Sequence, residues 1–193
     1  KILFVGSFRH FPNLVAFEKL LNEIMPKVWR RHPGARLQVI AGREPEKYWH
    51  GGMGCRGTFD FDTRIQVHDF VEDLRPFYRR ARLVVAPLTI SGGTSIKVLE
   101  AMACGKALVT TSVGCQGLNL CDGYEALIRD EWDGFTVAVA RILADESLAR
   151  NLGAKARRLA ETGFDWRRIA DTAYASYAHV ATSVCLDDSR RIG

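Results

Sequence analysis

The chain has 193 residues, a length that suits one domain or slightly more. Apolar residues make up 47% of it, enough for an ordinary globular core. The 27 basic and 22 acidic side chains leave a scattered charge of +5, which excludes the basic block of a nucleic-acid binder and suits an anionic small ligand or a membrane-facing surface.

In chain order, "ILFV" at 2–5 is a buried-strand run that stops at Gly6. "PNLVAFEKLLNEIMPKVWRRH" has helical spacing through Leu14, Phe17, Leu21 and Ile24, with a break expected at Pro26. "RLQVIAG" and "RIQVHDF" read as the second and third strands, "DLRPFYRRA" as a short helix and "RLVVAPL" as the fourth strand. "SIKVLEAMAC" is a helix, "KALVTT" the fifth strand and "EALIR" a sixth. From Trp132 to about Thr182 the pattern is helical, interrupted near Gly163, and the residues from about 183 to 193 read as a polar tail. Continuous apolar strands alternating with helices predict an α/β fold: a Rossmann-like parallel sheet of about six strands with helices on both faces. Ligands of such sheets bind at the carboxyl ends of the strands, so the loops there are the ones to inspect.

The run "GMGCRG" at 52–57 matches G-x-G-x-x-G letter for letter. A dinucleotide site needs a strand before that motif and a helix after it. Here a strand follows and none precedes, so the run reads as a glycine-rich loop. The five cysteines (Cys55, Cys104, Cys115, Cys121, Cys185) are odd in number and form no C-x-x-C pair. They read as free thiols in a reducing compartment. No His, Cys and carboxylate spacing suggests a metal site. No stretch reaches the roughly 18 apolar residues of a membrane span, and no signal peptide is visible. The first residue is Lys1 and the first few already read as strand and turn, so the chain is expected to be a piece of something longer.

The stretch "SGGTSIKVLEAMACGK" at 91–106 carries the chemistry. Gly92 and Gly93 let a backbone approach a ligand, and the helix expected from Thr94 or Ser95 offers free N–H groups and a positive dipole end. That combination suits a phosphate or diphosphate; the plain alternative is a tight turn with a capped helix. Lys97 and Glu100 share a helical face, either as an exposed ion pair or as a phosphate cation beside a carboxylate that accepts from ribose hydroxyls.

"PLTISGGTSIKVLEAMACGKALVTTSVGCQGL" resembles the donor-site signature of retaining glycosyltransferases of the GT-B fold, family 4. The flanking segments of residues 1–182 are similar to the C-terminal domain of those enzymes. The resemblance implies a nucleotide-sugar-binding domain over 1–182, faced in the whole enzyme by an N-terminal domain that holds a glycan or lipid acceptor. It implies that Glu100 is the second glutamate of E-x7-E, the ribose ligand. Gly93, Thr94, Ser95 and Ile96, with Gly92 before them, would present amides to the diphosphate. Gly6 and Ser7 would lie under the phosphates, and the Val71 backbone would meet the base.

Three positions depart from the family pattern. Gly92 stands where the first glutamate of the motif would fall, and Ser7 and Asn13 stand where basic residues are frequent. Lys97, helped by Arg9 or His10, is expected to supply the missing charge to the leaving diphosphate. His68, Asp69, Cys115 and Gln116 are lesser candidates at strand ends, and Trp166 is expected to anchor the last helix behind an Asp165 N-cap. The expected activity is transfer of a hexose-type sugar from UDP or GDP with retention, in polysaccharide biosynthesis. No cofactor beyond the donor is expected, and the location is cytoplasmic, peripheral to the inner membrane face where membrane-associated. The rival readings are a nucleotide-sugar epimerase of the same fold and a nucleotide-binding module without catalysis.

Overall fold

The computed structural model describes residues 1–49, 62–90 and 92–191, the last dozen of these as backbone alone. The glycine run at 52–57 and Ser91 lie outside the described residues. Six strands form one sheet: β1 (Ile2–Val5), β2 (Leu37–Ile40), β3 (Ile65–His68), β4 (Leu83–Ala86), β5 (Ala107–Thr110) and β6 (Leu127–Ile128). Every pairing is parallel, in the order β3-β2-β1-β4-β5-β6.

Strands β1, β4 and β5 read as nearly unbroken apolar runs because both faces are covered, whereas the edge strand β3 (IQVH) is only partly buried. Ile2, Phe4, Leu37, Val39, Leu83, Val85 and Val109 share one core with α1 (Phe11–Lys19), α2 (Met25–Arg31) and α5 (Trp132–Ala144). Leu3, Ile40, Val84, Ala86 and Leu108 share the other with α3 (Arg75–Arg80), α4 (Ile96–Ala103) and α6 (Glu146–Gly163). Each fully buried Val, Leu, Ile or Phe contributes about 1.5–3 kcal/mol, so the two layers clamp the sheet from both sides. On the first side Phe17 joins Phe4, Phe8 and Trp49 in an aromatic cluster, with Phe8 and Phe17 centroids 4.9 Å apart.

Pro26 does not break its helix as the spacing suggests. Instead α1 passes into a π-helical turn, Leu20–Ile24, and α2 resumes at Met25. Proline lacks an N–H and its ring crowds the carbonyl four residues back; the wider turn just before it absorbs both problems. At the other end α7 (Trp166–Arg191) begins behind Asp165, whose Oδ1 accepts from the Arg167 backbone N–H at 2.8 Å. Trp166 itself is 81% exposed, so it does not anchor α7 as expected.

The sequence neighbours β3, β2 and β1 lie on one side of the sheet and β4, β5 and β6 on the other. The strand order reverses between β1 and β4, where the loops leaving their carboxyl ends part and open a crevice.

Candidate functional site

A crevice of about 350 Å³ lies at this switch point. His10 and Asn13 line it from the segment after β1, Gly92 to Lys97 from the segment after β4, and Val113 from the segment after β5. The loops are tied together at their roots. The Thr110 hydroxyl donates to the Ala86 carbonyl at 3.1 Å, and the Thr111 hydroxyl donates to the Leu88 carbonyl while accepting from the Gly114 N–H at 3.0 Å.

The amino end of α4 is open toward this space. Gly93 has φ +108, a left-handed conformation that an L side chain rarely adopts, and a Cβ at Gly92 or Gly93 would meet nothing within 4 Å. Ser95 occupies the N-cap position but makes no side-chain cap bond, and its Oγ is buried with no hydrogen-bond partner. The Val98 N–H is met by the Ser95 carbonyl at 3.1 Å, whereas the Ile96 and Lys97 N–H groups ahead of it are not capped by that hydroxyl. Such a helix start favours an anion through its donors and its dipole together.

Lys97 supplies a cation to the same crevice. Its Nζ donates to Asn13 Oδ1, and Asn13 Nδ2 donates in turn to the Ser7 carbonyl at 2.8 Å. Asn13 is buried at 7% exposure and packs so closely on Gly6 that a Cβ there would lie 2.8 Å from Asn13 Cγ. Gly6 and Ser7, expected under the phosphates, line neither crevice; they lie behind Asn13 and seat it, and Asn13 seats Lys97. Burial lowers the Lys97 pKa to about 8, and the nearby Glu100 charge opposes part of that shift.

Glu100 is placed differently from Lys97. It lines a second crevice, of about 440 Å³, between α4, α6 and the start of α7, with Leu99, Ala103, Phe164 and Trp166. Its Oε2 accepts a hydrogen bond from the Tyr78 hydroxyl of α3 at 3.0 Å. Ile96, 65% exposed, borders both crevices. Val71 packs against the same core cluster as Tyr78 and lines neither crevice. His68 lies edge-on to Phe77 at 4.9 Å, its Nε2 buried without a hydrogen bond. Cys115 turns its Sγ to the Ser112 carbonyl at 3.5 Å, and burial pushes its thiol pKa up. Tyr78 and Val113 are the residues that the sequence did not single out: one is a tyrosine among arginines on a short helix, the other a valine in a loop, and neither carries a pattern that points to a site.

Among the described residues no group of three or more His, Cys, Asp or Glu side chains could hold a metal ion, and no helix is long and apolar enough to cross a membrane.

Together these features define an α/β domain with a crevice at the switch point of a parallel sheet, lined by the amino end of α4 and by Lys97. Residues 1–145 match the family model of the glycosyl transferases group 1, and the chain belongs to that family of glycosyltransferases. It is 28% identical over 169 residues to a D-inositol 3-phosphate glycosyltransferase of Segniliparus rotundus, covering 82% of this chain and 36% of that protein. It is 28% identical over 175 residues to a glycogen synthase of Mycobacterium tuberculosis, covering 88% and 40%. The chain therefore spans about two fifths of the length of these relatives. Among solved structures it is similar to sucrose-phosphate synthase from Thermosynechococcus elongatus, with a TM-score of 0.67 at 20% identity over 94% of this chain and 45% of that one. The fold is shared with Anabaena HepE in complex with UDP and glucose, with a TM-score of 0.70 at 15% identity over 92% and 48%. It is shared too with the C-terminal domain of a group 1 glycosyl transferase from Francisella tularensis, with a TM-score of 0.67 at 16% identity, covering 86% of each chain.

Proposed function

We propose that residues 1–182 are the donor-binding domain of a retaining glycosyltransferase that takes a hexose-type sugar from UDP or GDP. The observation that carries this reading is the open amino end of α4 facing the switch-point crevice, with the Lys97 ammonium beside it. Amides of Gly93 to Ile96 and the Lys97 cation receive the diphosphate. As the bond from the anomeric carbon to the diphosphate breaks, negative charge grows on the leaving oxygen, and fixed donors in that position stabilise it. Lys97 takes over charge that Ser7 and Asn13 do not carry. Glu100, one turn further on, serves the ribose from the neighbouring crevice.

The UDP in the HepE complex and the transferase names of the relatives support a nucleotide sugar as donor. The acceptor, a glycan or lipid, belongs on a further domain facing this one. The full-length protein is proposed to act in the cytoplasm or at the inner membrane face, and donor binding is proposed to need no metal or other cofactor.

Calorimetry with UDP, GDP, uridine and guanosine, on wild type and on Lys97→Ala, tests the reading. Wild type should bind one diphosphate, also in EDTA, and Lys97→Ala should weaken the diphosphate by roughly ten- to a hundredfold while leaving the nucleoside alone. Failure of wild type to bind either diphosphate would sink the donor assignment.

A further inference from the structure

Tyr78 is a buried polar group for which neither the core nor the phosphate crevice gives a reason. It is 1% exposed and belongs to the core cluster that contains Val98, Ala101 and Met102 of α4. A phenylalanine would fill almost the same volume with no hydroxyl to desolvate, so the hydroxyl is explained by its partner. That partner is Glu100 Oε2, at 3.0 Å, with the Lys97 carbonyl further away at 3.3 Å. A phenol has one proton to give, and a carboxylate is the stronger acceptor. Burial, then the Glu100 charge, push the Tyr78 hydroxyl far above its ordinary range, so it stays a donor at any working pH.

The consequence falls on Glu100. This side chain is only partly buried at the wall of its crevice, where an untethered glutamate would move among several rotamers. With Oε2 fixed by α3, the carboxylate has one orientation, and Oε1 carries no hydrogen bond among the described residues. A fixed acceptor with a free oxygen is what a pair of vicinal hydroxyls needs.

We propose that Tyr78 is the positioning residue for Glu100, holding one carboxylate oxygen so that the other accepts from ribose hydroxyls and selects ribonucleotides over deoxyribonucleotides. This deepens the donor-site reading above and rests on it.

The test compares UDP with dUDP, and GDP with dGDP, on the wild type and on Tyr78→Phe, with inorganic pyrophosphate as a probe of the phosphate crevice alone. Wild type should prefer the ribo form by roughly ten- to a hundredfold, as a charge-assisted bond to a hydroxyl would give. Tyr78→Phe should bring that ratio to within about threefold while pyrophosphate affinity stays the same. An unchanged ratio overturns the proposal, and so does a parallel loss of nucleotide and pyrophosphate affinity with a lower unfolding temperature, which marks a structural role only. Should Tyr78→Phe fail to fold, Glu100→Ala must abolish the preference by itself; a preference that survives it overturns the proposal. Wild type that binds no diphosphate at all defeats the donor reading, whereas wild type that binds UDP and dUDP equally defeats only the roles given to Glu100 and Tyr78.

Discussion

Lys97 and Asn13 stand 84 residues apart and share a hydrogen bond, Nζ to Oδ1, across the switch point of the sheet. Asn13 is one of the positions at which the resemblance implies a basic residue. A second ammonium at position 13 would repel Lys97, and a carboxylate would neutralise it. An amide does neither: its oxygen orients the cation and its nitrogen is tied to the Ser7 carbonyl. The Lys97 ammonium is thus held at the crevice by a neutral acceptor.

Diphosphate binding should respond to the protonation of Lys97. Lys97 titrates near 8 in the free protein, and a bound diphosphate favours its charged form. Diphosphate affinity should therefore be flat from about pH 7 to 7.5 and fall as pH rises through 8, approaching tenfold per unit. Stability should move the opposite way. The folded pKa lies below the ordinary 10.5, so the unfolded chain binds more protons between 8 and 10.5, and stability contributed by this group rises with pH there, by at most ~3 kcal/mol. Calorimetry and urea unfolding across pH 7–10 measure both slopes. Lys97→Met should flatten each of them, and a uridine affinity that tracks the diphosphate curve would remove Lys97 from the phosphate site.

Asn13→Ala should act on Lys97 at a distance. The substitution removes the bond to the Ser7 carbonyl, which keeps its contact with the His10 N–H at 3.1 Å. The loss of stability should thus be modest, about 1–2 kcal/mol. The larger effect is electrostatic. A half-buried ammonium without its acceptor is less favourable, so the inflection in diphosphate affinity should move below pH 8. An inflection that stays in place would show that Asn13 does not support the charge.

Much of this architecture was legible in the sequence, and the limits have physical causes. Runs such as "LVVA" and "ALVT" have no alternation because they are covered on both faces, so the parallel sheet could be read directly. The glycines before "SIKVLE" announced the open helix start. The split between Lys97 and Glu100 could not be read, because a spacing of three places two side chains on one face without saying which neighbour captures each. Lys97 goes to Asn13 on α1 and Glu100 to Tyr78 on α3, and both captures are long-range. The π-helical turn at Leu20–Ile24 was hidden for a similar reason: packing on both sides keeps the helix running where Pro26 alone would end it.

Gly153→Ala should be the most destabilising single-methyl change away from the crevices. A Cβ at Gly153 would overlap the Gly105 carbonyl oxygen and lie 2.8 Å from its carbon, so the clash is with backbone and cannot be relieved by a rotamer. Here α6 crosses the turn that ends α4. A loss of at least about 1–3 kcal/mol is expected. Urea unfolding measures it, and UDP or GDP affinity of the folded fraction should stay within about twofold of wild type, because Lys97, Asn13 and Gly93 are untouched. Unaltered stability would mean that α6 and the Gly105 turn can separate at little cost.

Gly6→Ala tests the seat of Asn13 behind the crevice. The new methyl would lie 2.8 Å from Asn13 Cγ and 2.9 Å from its Oδ1, so it displaces the side chain that seats Lys97. Alone it should cost about 1–3 kcal/mol and weaken diphosphate binding. The informative measurement is the cycle with Asn13→Ala. Trimming Asn13 removes the atoms that the methyl strikes, so the double variant should be more stable than the sum of the two losses predicts, by roughly 0.5–3 kcal/mol. Additive losses would place the Gly6 constraint elsewhere, in the backbone passing from β1 into the crevice, and would break the chain of contact that runs from Gly6 through Asn13 to the Lys97 ammonium.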